Sequence, residues 1–168
     1  MTPEERMDSD RCKNKITKGH IQHIQETGVS ILHVMEGQAP DTPEWSYTIG
    51  LWHSYSHPEI LIVGLQPSLT RILLDNLQFS ITTEGRSFAD GATATDVIDG
   101  YLCFFKTIPV ANYGDYFAGN EWFYDGNDFP AVQMLWPNTS GVYPWDDAAD
   151  EYLRWVQPIL TELPIRSI

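Results

Sequence analysis

The chain has 168 residues, 42% hydrophobic and 20% charged, enough for one globular domain with a sizeable core and unlike a disordered segment. Acidic residues outnumber basic ones 23 to 10, a net charge of −13, which excludes the basic stripe of a nucleic-acid binder and argues against adhesion to an anionic membrane. Plain solubility is the simple reading of that charge, and steering of a basic protein partner is the sharper one.

Residues 1–10, MTPEERMDSD, are polar and acidic and are expected to be disordered or frayed. Residues 11–168 are expected to form a single domain. The N-terminal stretch has no apolar signal core, and the longest apolar run, ILIVGL, is too short to cross a bilayer, so a cytoplasmic protein is expected. From Arg11 to Thr27, Ile16, Ile21 and Ile24 sit among polar residues, which predicts an amphipathic helix stopped by Gly28. VSILHVMEG follows as a short β-branched strand. QAPDTPE reads as a proline-rich turn, WSYTIGLW as a second strand and EILIVGL as a third, which Pro58 can begin but could not interrupt.

After Pro67 the spacing of Leu69, Ile72, Leu73, Leu77 and Phe79 predicts a helix. TTEGRSFADGATATD reads as a polar connection, GYLCFFKTIPV as a strand ending at Pro109, and ANYGDYFAGNEWFYDG as a short aromatic helix broken by glycines. PAVQMLWP is the last clear strand, NTSGVYPWDD a turn-rich loop, and EYLRWVQPILTEL a final short helix or ordered tail. Clustered strands with short connections point to an α+β domain with a mixed or largely antiparallel sheet and helices packed on it.

WSYTIGL followed by PEILIVGL, and then AVQMLWPNTSGVYPWD and QPIL, together resemble a bacterial family, domain of unknown function 4262 (DUF4262). The resemblance runs from about Gly28 to Leu160. Some members carry Cys-x-x-Cys near the N-terminus, where this chain has only Cys12. The family brings no activity with it, so the resemblance implies one bacterial cytoplasmic domain and no reaction.

The polar residues that these motifs place inside apolar runs define a candidate pocket: Tyr47, Thr48, Gly50, Glu59, Gln133, Trp136 and Trp145. If they line one concavity a small enzyme gains support, and if they are scattered or packed it loses support. Glu59, at the start of an apolar strand, is expected to be held by backbone N–H groups or by a side chain of the neighbouring strand, in its charged form, organising the turn. His53 and His57, in HSYSHP, could join a carboxylate as weak metal candidates, but an exposed loop with ordinary histidines is the commoner case. His20 and His23, three apart, read as a solvated helix face. Cys103 lies in an apolar run and reads as a small buried hydrophobe. There is no G-x-S-x-G, P-loop, G-x-G-x-x-G or H-E-x-x-H pattern, so neither a cofactor nor a reaction class is named. The first expectation is a protein- or ligand-binding module, with a small-molecule or basic protein partner. The alternative is a small enzyme with a polar pocket near Tyr47, Glu59 and Gln133.

Overall fold

A computed structural model describes residues 2–8, 15–35 and 42–162. Cys12, the start of the expected first helix and most of the proline-rich turn lie outside the described residues. Six strands, β1 (Ser30–Val34), β2 (Trp45–Ile49), β3 (Glu59–Val63), β4 (Thr93–Ile98), β5 (Tyr101–Thr107) and β6 (Ala131–Leu135), form one mixed sheet in the order β1-β2-β3-β6-β5-β4. All neighbouring pairs are antiparallel except β3 and β6, which run parallel with Glu59 opposite Ala131. This is the α+β domain expected from the sequence.

Among the described residues six α-helices accompany the sheet: α1 (Pro3–Met7), α2 (Lys15–Thr27), α3 (Leu51–Tyr55), α4 (Pro67–Thr82), α5 (Ala118–Tyr124) and α6 (Glu151–Val156). Successive side chains of a strand point to opposite faces, and β3 shows the result. Ile60 and Ile62 join Leu73, Leu74 and Leu77 of α4 and Leu153 and Val156 of α6 in one core cluster. Leu61 and Val63 join Ile21 and Ile24 of α2 and Phe123 of α5 in the other. A third, smaller cluster gathers Phe104, Leu135 and Tyr143.

Several elements differ from the sequence reading. The N-terminal stretch expected to fray forms α1 over Pro3–Met7, because Thr2 and Glu5 make a reciprocal capping box and Pro3 opens the helix. Arg6 is buried and hydrogen-bonds Asp125 just past α5. The first half of HSYSHP, expected as a loop, belongs to α3, which is begun by Gly50 and ended by Ser56, both with positive φ. The polar connection after α4 contains β4, an edge strand whose run TATDVI buries only Ala94 fully and so carries little apolar signal. Within α4 the buried stripe is Leu73, Leu74, Leu77 and Ile81, while Leu69, Ile72 and Phe79 face outward. Gly28 caps α2 as expected, its N–H bonding Ile24 O at 2.7 Å.

Candidate functional site

Glu59 is completely buried. Its Oε1 accepts from Thr48 Oγ1 and Leu51 N, each at 2.9 Å, and its Oε2 accepts from Gly50 N at 2.9 Å and Tyr124 Oη at 2.8 Å. The local chain makes this possible. Gly50, at φ +105°, turns the chain from β2 into α3, so that two successive N–H groups form a concave nest facing the start of β3. Both hydroxyls are aimed by further backbone donors: Ile60 N bonds Thr48 Oγ1 at 3.0 Å, and His53 N bonds Tyr124 Oη at 3.1 Å. Each hydroxyl therefore accepts from the backbone and gives its proton to the carboxylate. Glu59 is thus held by both kinds of donor named from the sequence, backbone N–H groups and a side chain of β2. The expectation that these donors favour its charged form meets a stronger opposing effect: complete burial pushes the carboxyl up to about 7, against the pull of its four partners.

The seven candidate pocket residues fall into three places. Thr48, Gly50 and Glu59 meet in this corner. Tyr47 is buried beside it, accepting from Gly119 N at 2.9 Å, and burial pushes its phenol up to about 12. Gln133 and Trp136 tie down the C-terminal segment. Gln133 donates to Pro158 O at 2.8 Å and accepts from Leu160 N at 2.9 Å. Gln157 clasps the Trp136 backbone, accepting from its N–H at 3.0 Å and donating to its carbonyl at 2.7 Å. Trp145 stacks on Tyr143, with centroids 4.7 Å apart, and meets Phe104 edge-on. These residues are packed, and they do not share one concavity.

The two histidines also part company. His53 is exposed, its Nε2 3.2 Å from Glu4 Oε1. His57, expected on an exposed loop, is buried. Its Nδ1–H donates to Pro58 O at 2.8 Å and its Nε2 accepts from Phe88 N at 2.9 Å. Both nitrogens are engaged, so His57 stitches α3 to the segment before β4 and offers no lone pair to a metal. Burial lowers its pKa. Among the described residues no group of three or more His, Cys, Asp or Glu side chains is placed to hold a metal ion. Cys103 is buried, and burial pushes its thiol up to about 12.

A cavity of about 310 Å³ lies elsewhere, between α2, the β1–β2 hairpin and α5. Ile21, Ile24, Ile49 and Phe123 form its buried floor. Its rim is exposed Ala118 with half-buried His20, Leu32, Gly119 and Trp122. The sequence reading missed this site. Its residues come from four separate segments, and the amphipathic spacing that reveals α2 does not tell what its apolar face covers.

These features define an α+β domain whose mixed sheet separates two helical layers, with a buried carboxylate corner and a largely apolar cavity on the α2–α5 side. Residues 23–150 match the family described as Domain of unknown function (DUF4262), and the chain belongs to that family. No curated protein and no solved structure matches it. The matched residues include the whole Glu59 corner, but leave out His20 and Ile21 of the cavity and Gln157 of the C-terminal clasp. Among the described residues no helix is long and apolar enough to cross a membrane.

Proposed function

We propose that this protein is a ligand-binding module that receives a small, mainly apolar molecule between α2 and α5, and that the Glu59 corner is the framework holding α3, α5 and the start of β3 together. One observation carries the reading: the cavity of about 310 Å³ lies at the lower end of the range of small-molecule sites, with His20 as the lone titratable group among the described residues of its lining. The corner supports it from the other side. An acid–base catalyst needs a path to substrate, and both Glu59 oxygens are spent on four internal donors. The resemblance of the chain's motifs favours a bacterial cytoplasmic setting.

The test is a thermal-shift screen of one- and two-ring compounds against the wild-type protein and Ala118→Phe. Residue 118 is exposed at the rim, so a larger side chain there obstructs entry without disturbing the floor. Compounds that stabilise the wild type and lose their effect on the variant support the reading. Absence of any stabilising compound, or equal stabilisation of the variant, refutes it.

A further inference from the structure

We infer that the cavity selects an uncharged ring compound of about a dozen non-hydrogen atoms bearing one hydrogen-bonding group, the ring seated on the aliphatic floor and the polar group on His20 Nε2. This rests on the ligand-binding reading above. The size follows from about 310 Å³, which at the density of a protein interior holds at most roughly 17 non-hydrogen atoms, so that about a dozen enter without overpacking. The ring follows from the walls: Ile21, Ile24 and Ile49 offer flat aliphatic contact, and Phe123 and Trp122 offer aromatic edges and faces.

The single polar group follows from His20. Its Nδ1 is paired with Ser30 Oγ at 2.5 Å, and Ser30 is buried. That fixes the ring and leaves Nε2 as the remaining nitrogen for a ligand. Gly119 N, also in the lining, is already used, because it donates to Tyr47 Oη.

Lack of charge follows from the lining and its setting. Among the described residues no Lys, Arg, Asp or Glu lines the cavity. A buried anion would have no cation to pair with and would enter a chain of net charge −13. A buried ammonium would find no carboxylate. The Trp122 ring already receives the Arg6 guanidinium at 5.9 Å. Burial, with His23 nearby, lowers the His20 pKa, so its imidazole is neutral at pH 7 and supplies no charge.

The experiment is calorimetric titration at pH 7 with three probes of matched shape: 2-naphthol, naphthalene and 2-naphthoate. 2-Naphthol should bind tightest. Naphthalene, lacking the hydroxyl, should bind roughly 5- to 10-fold more weakly, and 2-naphthoate more than about 10-fold more weakly. In His20→Phe the difference between 2-naphthol and naphthalene should vanish. Equal affinity of those two for the wild type, or tightest binding of 2-naphthoate, overturns the ligand class and leaves the cavity reading standing. Failure of all three probes to bind the wild type overturns both. The wild-type ranking needs no variant, so it remains decisive even if His20→Phe does not fold.

Discussion

Gly50→Ala is the sharpest probe of the corner. A Cβ built at Gly50 falls 2.5 Å from Gly28 O, while φ there is +105°. Two costs follow. The backbone conformation is disfavoured for any residue with a Cβ, at about 1–3 kcal/mol. The overlap must be relieved by moving the β2–α3 turn or the end of α2 by most of an ångström, at about 1–3 kcal/mol for an overpacked site. Moving the turn also swings Gly50 N and Leu51 N, which hold Glu59 at 2.9 Å, out of line. The total is about 2–6 kcal/mol. A control separates the terms: Gly85 has φ +69° and open space around its Cβ position. Gly85→Ala therefore carries only the backbone cost. Urea unfolding of both variants, read by far-UV circular dichroism, gives the difference directly. A Gly50→Ala protein no less stable than Gly85→Ala would refute the idea that the close approach of two backbones sets this turn.

Glu59 titrates near 7 in the folded chain and near its ordinary 4.5 when unfolded. Between those values the folded state keeps a proton that the unfolded state has lost, so stability falls as pH rises from about 4.5 to 7 and is flat above. At roughly 1.4 kcal/mol per pH unit the loss is of order 3 kcal/mol. Glu59→Gln removes this titration, so the stability advantage of the wild type over the variant should shrink by that amount across the window in urea melts; a pH-independent difference would refute it. His57→Ala should cost about 2–4 kcal/mol, since it opens a cavity and orphans the buried Phe88 N–H, whereas His53→Ala should cost under about 1 kcal/mol; equal melting temperatures for the two variants would sink the distinction. The lowered His57 pKa has the opposite sign to that of Glu59, its contribution being lost as pH falls below 6.5. Gln157→Ala should cost about 1–3 kcal/mol by unpairing the buried Trp136 N–H, and hydrogen exchange at Trp136 should accelerate; unchanged protection there would count against the clasp.

Much of the sheet was legible because its strands carry clear signals. ILIV is a continuous apolar run and AVQML one broken only by Gln133, each with proline close by, as a strand buried on both faces should be. β4 lacked that signal because an edge strand with one buried alanine has almost no pattern to display. Pro58, Glu59 and the WSYTIG run disclosed the corner, since a carboxylate opening an apolar strand demands donors. Tyr124 could not be foreseen as one of them. It comes from a helix far along the chain, and its aromatic neighbours look like ordinary core. His57 reads as solvated from the sequence because it stands in a polar hexapeptide, and only Phe88 N, supplied from across the fold, makes it an internal acceptor. His20 is hidden for a similar reason: its setting depends on Ser30 and on the hollow beneath it, neither of which helical spacing records.

Each antiparallel pairing joins strands consecutive along the chain, while the parallel pairing of β3 with β6 does not. The sheet is therefore two three-stranded meanders sewn together along one seam, with α4 and an exposed turn around Gly85 bridging them. The first meander and the β4–β5 hairpin have short connections, β5 and β6 close a longer one that carries α5, and the seam closes the longest loop, so most of the loop-closure entropy falls on the last two. Glu59 stands at the end of that seam, opposite Ala131, with its N–H on Pro130 O. A chain nicked at Gly85 keeps every antiparallel ladder within one fragment. Mixing the two fragments would turn the joining of the halves into a bimolecular event whose rate can be followed as a function of concentration.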